Sequence, residues 1–306
     1  MDSSSDSHSL FYFTKLRLWC DDHAKMFTEN FTPSHSTSLC QEPSSLKFLR
    51  YLNIGPEVDE EIFRCFRTII RDCKYLESIV MCQLNESVLE CLEQIPNPLT
   101  CRLVLGSVIR FDPLTSSEVL KLASLLPRFN NLIKFCLNFY DCCAEAENKL
   151  VCSITHKTLQ ELTLLNLRMT PEIAAALGRS LPEMSSLEKL WLIERKESIV
   201  QVEDIRTVFG GFNKTFPALE ELMFSSFSLR GCLAPLTERF HFFPSLCSSV
   251  GFSDSNLDER DWRGLVDSLK SIPNLRNLLL DGNPLGDEDK VKFIVKQVLP
   301  QVDLYY

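Results

Sequence analysis

The stretch Leu275-Arg-Asn-Leu-Leu-Leu-Asp-Gly-Asn-Pro-Leu285 places apolar residues at Leu275, Leu278 and Leu280, an amide at Asn283 and a further apolar residue at Leu285. Leu278 and Leu280 stand two apart, so on a strand they point to the same side. The Asn283 amide has both donors and acceptors and can satisfy backbone groups that a following turn buries. One strand of this kind cannot cover its own apolar side. The pattern therefore predicts copies of itself stacked alongside.

The same apolar triplet recurs at Phe13/Leu16/Leu18, Leu49/Leu52/Ile54, Leu76/Ile79/Met81 and Leu132/Phe135/Leu137, then at Leu159/Leu162/Leu164, Leu187/Leu190/Leu192 and Leu219/Leu222/Phe224. Thr100/Leu103/Leu105 is a weaker copy with a polar anchor, and Leu246/Val250/Phe252 carries one extra residue, which predicts a bulge there. Leu299/Val302/Leu304 closes the series. The intervals between successive anchors run from 24 to 36 residues, and five of the ten lie between 27 and 29. Units this long have room for a strand and a full α-helix.

The intervening segments carry apolar residues at i, i+3, i+4 and i+7, the stripe of a helix with one buried side. The stripes are Ile62/Cys65/Phe66/Ile69, Val88/Cys91/Leu92/Ile95, Val119/Leu122/Ala123/Leu126, Ile205/Val208/Phe209/Phe212, Trp262/Leu265/Val266/Leu269 and Val291/Ile294/Val295/Val298. Thr115-Ser-Ser-Glu118 has the form of a capping box, and Thr170-Pro171-Glu172 puts a cap residue before a proline and an acid in the first turn. Prolines such as Pro127, Pro182 and Pro273 fall between a helix and the next strand, where a missing N–H helps end the helix. Residues 20–45 fit poorly and are read as an insertion or a degraded repeat, and the acidic segment 139–157 as a helix of undetermined length. Residues 1–10 are read as a disordered tail, leaving 11–306 as one repeat domain.

With 45% hydrophobic and 24% charged residues the chain is too apolar for wholesale disorder, and its net charge of −9 argues against nonspecific nucleic-acid binding. No run of 18 apolar residues predicts a membrane span. Thirteen cysteines are scattered, without a C-x-x-C pair, and read as buried thiols in a reducing, cytoplasmic setting. The sequons at Asn30, Asn85 and Asn213 read as chance matches.

No catalytic constellation is evident, and the reading assigns no catalytic, cofactor-binding or metal residue. Gly210-Gly-Phe-Asn-Lys214-Thr215 has the wrong spacing for a phosphate loop and reads as a helix terminator. The face of the sheet opposite the helices is the better candidate for function. Its central row is predicted to run Arg17, Asn53, Val80, Val104, Cys136, Thr163, Trp191, Met223, Gly251, Leu279 and Asp303. Trp191 and Met223, with Leu165 and Ile193 close by and Thr163, Lys189 and Glu221 flanking, make the candidate protein-binding patch.

These strand–helix units resemble leucine-rich repeats of the ribonuclease-inhibitor-like class, which implies an α/β solenoid: a horseshoe of about ten to eleven repeats with a parallel inner sheet and outer helices. Met169-Thr-Pro-Glu-Ile-Ala-Ala-Ala-Leu-Gly-Arg-Ser-Leu-Pro-Glu-Met-Ser-Ser-Leu-Glu-Lys-Leu-Trp-Leu192 and Ile272-Pro-Asn-Leu-Arg-Asn-Leu-Leu-Leu-Asp-Gly-Asn-Pro-Leu285 are similar to the C-terminal repeats of NOD-like receptors. The flavour is that of the subgroup with caspase-recruitment or inhibitor-of-apoptosis repeat domains. The resemblance implies the ligand-sensing or autoinhibitory part of a cytoplasmic innate-immune receptor. The nucleotide-binding and death-fold modules are absent from this sequence, so two alternatives stand beside it. One is a solitary scaffold or inhibitor, and the other a regulator resembling the repeat-built GTPase activators. The partner implied is a protein ligand or another module of the same receptor.

Overall fold

The computed structural model describes residues 15–18, 50–54, 67–68, 70–72, 74–82, 84–106, 113–195, 201–213, 216–243 and 247–306. The tail 1–10, the whole of the irregular segment 20–45 and the stripe Ile62/Cys65/Phe66/Ile69 lie outside the described residues.

Eleven strands form one sheet in strict chain order, every neighbouring pair parallel. They are β1 (Lys15–Leu18), β2 (Tyr51–Ile54), β3 (Ser78–Met81), β4 (Arg102–Leu105), β5 (Asn131–Asn138), β6 (Glu161–Leu167), β7 (Lys189–Glu194), β8 (Glu221–Ser225), β9 (Ser249–Gly251), β10 (Asn277–Leu279) and β11 (Asp303–Tyr305). Between them run α1 (Glu86–Glu93), α2 (Ser116–Leu125), α3 (Ala144–Ser153), α4 (Pro171–Ser180), α5 (Val202–Gly210), α6 (Ala234–Thr237), α7 (Glu259–Leu269) and α8 (Glu288–Val298), each packed on the next. None of the described helices is long and apolar enough to cross a membrane.

Local chemistry sets these boundaries. The Thr115 side chain accepts from the Glu118 N–H while the Glu118 carboxylate accepts from the Thr115 N–H, closing the expected box. Thr170 accepts from the Ile173 N–H ahead of Pro171. Asp258 and Asp261 form a second box at the start of α7, and Asn85 caps α1 by accepting from the Val88 N–H at 2.9 Å. Gly211 ends α5 as a terminator. Short 3-10 turns containing Pro127 and Pro182 then turn the chain back toward the sheet. The acidic segment folds as α3.

The helix stripes and strand triplets meet in one continuous core. Val119, Leu122, Ile205, Val208, Phe209, Trp262 and Leu265 are wholly buried against Leu103, Leu162, Leu190, Leu222 and Leu278. Each such leucine removed from water stabilises the fold by roughly 1.5–3 kcal/mol. Phenylalanines dominate the C-terminal half: Phe224 meets Phe209 edge-on at 5.1 Å and stacks on Phe252 at 6.3 Å. Strands repeat about every 4.8 Å and packed helices about every 8–10 Å. A one-to-one stack of both therefore bends with the sheet on the inside.

Register departs from expectation at three places. Between β4 and β5 the ladder shifts: Leu103 pairs with Leu132 but Val104 with Lys134, so Ile133 is an extra residue. Val104 therefore lines up with Lys134 and Glu161, and the expected neighbour Cys136 belongs to the next row. At the other end Leu278 pairs with Leu304, which puts Asp303 beside Asn277 and Tyr305 beside Leu279. The bulge expected at β9 is absent. Cys247, wholly buried, takes the anchor position three residues before Val250, and β9 pairs unbroken with β8 and β10.

Candidate functional site

The open face carries two rows. One reads Asn53, Val80, Val104, Lys134, Glu161, Lys189, Glu221, Ser249, Asn277 and Asp303; the other reads Cys136, Thr163, Trp191, Met223, Gly251, Leu279 and Tyr305. In the first, Lys134 pairs with Glu161 across the strands, and Lys189 with Glu221 at 3.2 Å. Such partly exposed pairs contribute little, about 0–1 kcal/mol each, but they cancel charge along the row.

The second row is the apolar one. Trp191 and Met223 are direct cross-strand neighbours, both half-buried. The Lys189 ammonium sits 3.5 Å from the centre of the Trp191 ring, a cation–π contact, so one ammonium serves both the indole and the Glu221 carboxylate. The Met223 side chain lies over Gly251: a Cβ there would meet its Sδ at 2.4 Å. Glycine at this point lets the thioether lie flat across the sheet.

The remaining candidates separate. Thr163 is only 4% exposed, between Cys136 and Trp191. Burial pushes the Cys136 thiol up to about 12, against smaller opposing effects from Thr163 and Lys189. Leu165 pairs with Asn138 and Ile193 with Ser225, and a bulge in β6 between Leu164 and Leu167 separates Leu165 from Ile193. Lys189 and Glu221 join Trp191 and Met223 in one cluster; Leu165 does not pair with any of them.

At the C-terminal ends of the strands the chain turns through left-handed residues, Asn166, Ser226, Asp254 and Gly282, each just before the position held in the last of these turns by Asn283. Asn283 accepts from the Ser255 and Leu257 N–H groups at 3.0 and 2.9 Å and donates to the Phe252 and Leu280 carbonyls at 2.6 and 2.8 Å. One amide thus satisfies four backbone groups in two adjoining units. This is a leucine-rich-repeat fold.

No family model matches the sequence, and no curated protein matches it. Among solved structures the chain is similar to the TLR13 chain of a TLR13–ssRNA13 complex, at 14% identity and a TM-score of 0.38, over 85% of this chain and 36% of that one. It is also similar to an internalin, InlF, of Listeria monocytogenes, at 12% identity and a TM-score of 0.43, over 85% of this chain and 74% of that one. The chain therefore spans about a third of the length of the TLR13 chain.

Where other leucine-rich-repeat turns of this chain lack the asparagine, they substitute in different ways. Leu84, Leu167 and Phe227 fill the space with buried carbon, and Ser255 donates to the Ser253 and Phe224 carbonyls. In the β7 unit the position eight residues after Leu187 is Arg195. Its guanidinium donates to the Phe139 carbonyl and to the Glu147 carboxylate at 3.2 Å. Glu147, wholly buried on α3, also accepts from the Arg168 N–H at 2.9 Å. Burial pushes the Glu147 carboxyl up, and that N–H, then Arg195, pull it back. Sequence reading missed this pair. The only signal available was an arginine standing where the template wants an amide.

Proposed function

We propose that this chain is a protein-binding leucine-rich-repeat module that engages its partner through the open sheet face around Trp191 and Met223. The observation that carries the reading is the cross-strand pairing of these two large side chains, both partly exposed, on a face no described helix covers. Tryptophan is enriched among the residues that dominate binding energy, and methionine adapts to irregular surfaces. The face offers contact area and a few charges but no constellation that would turn over a substrate, which supports binding over catalysis.

The two stretches similar to NOD-like receptor repeats support a finer reading, in which the module senses ligand or holds such a receptor inactive. The buried thiols Cys101, Cys142 and Cys247 support a reducing compartment such as the cytoplasm. The test is affinity capture from cell extract with the full chain and with a Trp191→Ala/Met223→Ala variant, alongside urea unfolding of both. Loss of a specific protein partner at unchanged stability is the expected result; retention of every partner would overturn the reading. Transcripts that join this sequence to a nucleotide-binding module would support the receptor setting, and consistently solitary transcripts would favour the scaffold.

A further inference from the structure

We infer that the C-terminal half of the open face, from β7 to β11, receives a basic amphipathic helix of the partner protein. The inference rests on the binding-module reading above and adds the chemistry of what binds.

The apolar row there is unbroken in register: Trp191, Met223, Gly251, Leu279 and Tyr305 stand side by side on five successive strands. Four strand spacings of about 4.8 Å make a strip about 19 Å long. That length corresponds to roughly three and a half turns of α-helix at 5.4 Å per turn. The strip is stepped across the strands, which suits the apolar stripe of a helix laid at right angles to them. Tyr305 is 51% exposed at its far end, and Gly251, lacking a Cβ, keeps the middle low.

Acids surround this strip. Asp303, the first residue of β11, lies in the charged row, and Asp254 and Asp281 lie beyond the strands on the other side, all three exposed. Glu188 and Glu220 stand at the strand entrances, and Glu221 lies in the charged row. Against these six carboxylates stand Lys189, already shared between Trp191 and Glu221, and Arg276 at the β10 entrance, with Lys296 of α8 at 3.7 Å from Asp303. The N-terminal half differs: Arg50 pairs with Glu77 and Lys134 with Glu161, and Arg102 stands in register with Ser78. An apolar strip whose rim carries six carboxylates against three cations complements a helix with leucine-like side chains on one face and lysines or arginines on its flanks. The same rim repels phosphate, which disfavours nucleic acid and anionic membranes here.

The experiment titrates the full chain against labelled synthetic helices of roughly 18 residues, five turns long, followed by anisotropy. One helix pairs leucines with lysines, one pairs the same leucine stripe with glutamates, and one scrambles the leucine–lysine order. The leucine–lysine helix is expected to bind at least about tenfold more tightly than either of the others. Met223→Ala, and separately Asp281→Asn/Asp303→Asn, should each weaken it about fivefold or more. Asp267→Asn/Asp289→Asn removes the same charge from the outer helices and should leave it unchanged. Equal binding of the three peptides would overturn the inference, as would equal loss in the sheet-face and helix-face charge variants or competition by a single-stranded RNA. Should capture of a partner depend on Trp191 and Met223 while the leucine–lysine helix shows no preference, the helix inference fails and the binding-module reading stands.

Discussion

The Arg195 guanidinium lies 3.2 Å from the wholly buried carboxylate of Glu147, joining the end of β7 to a helix two units earlier in the chain. The same carboxylate holds the Arg168 N–H of the unit between. Three consecutive units are therefore tied by one buried charge pair. Glu147→Ala strands the arginine and an N–H, and should lower unfolding free energy by about 3–5 kcal/mol. Glu147→Gln, which keeps an acceptor, should cost less. Urea unfolding of both variants, with Arg195→Met/Glu147→Leu as the apolar replacement, measures the difference; the double variant is expected to lose less than Glu147→Ala, since no charge is stranded, but not to reach wild type, since the Arg168 N–H and the Phe139 carbonyl lose their partners.

Asn283 poses a different problem, because its amide serves main-chain groups that cannot be replaced. Asn283→Ala leaves the Ser255 and Leu257 N–H groups without their acceptor, at about 1–3 kcal/mol for each group left unsatisfied in the interior. Asn283→Leu should fare no better, although leucine fills the matching place at Leu167. Hydrogen exchange at Ser255 and Leu257 should accelerate in both variants ahead of the rest of the sheet.

Two glycines separate backbone from side-chain constraint. At Gly106, with φ at +79°, a Cβ would stand 1.9 Å from the Cys136 carbonyl oxygen, which the β5 ladder holds in place. Gly106→Ala should cost about 3 kcal/mol or more. At Gly251 the first obstacle is the mobile end of Met223, so Gly251→Ala should cost about 1 kcal/mol. Adding Met223→Ala to Gly251→Ala should recover part of that loss, and thermal unfolding reports all three.

Acid should weaken the fold through His156. The ring is 7% exposed, with Nε2 3.2 Å from the Leu126 carbonyl, and burial holds its pKa below the usual 6.5. The unfolded chain then takes the proton first, so stability present above pH 6.5 is lost as pH falls from there through the depressed folded value. Glu147 works the other way: its raised pKa makes the folded state the better proton acceptor just above 4.5. His156→Gln should flatten the urea midpoint between pH 7.5 and 5.5, leaving the opposing trend visible at lower pH.

The thiols should divide by burial. Cys91, Cys101, Cys142 and Cys247 are pushed up to about 12 by burial, whereas Cys143, exposed at the start of α3, is lowered by Ser116 and the Ala146 backbone. At neutral pH iodoacetamide should label Cys143 first among the described cysteines. Peptide mapping would show it, and Ser116→Ala should slow the reaction.

Much of the fold was legible because leucines at L-x-x-L-x-L spacing have one way to share a core, and because Thr115, Thr170 and Pro171 punctuate the helices. What escaped were the ladder shifts. Leu132, Phe135 and Leu137 are all inward-facing in either register, so Ile133 looks like one more strand residue and carries no turn signal. Leu299, Val302 and Leu304 hide a two-residue shift in the same way. Cys247 was overlooked because cysteine buries like a hydrophobe without belonging to the leucine set. On the open face, the adjacency of Trp191 and Met223 follows from spacing alone. The Lys189 contact, the place of Gly251 beneath Met223 and the Glu147–Arg195 pair depend on side-chain reach, which periodicity does not encode.

The extra residue at Ile133 also governs how the chain could be shortened. From β7 to β10 each strand continues its neighbour's ladder, so excising the segment from β8 through α6 would splice β7 to β9 without a slip. A cut that fused β4 directly to β6 would remove the residue at which β5 absorbs the ladder shift, and the surviving strands would have to settle a new register. Modular engineering of this molecule is therefore permitted on one side of that residue and penalised across it.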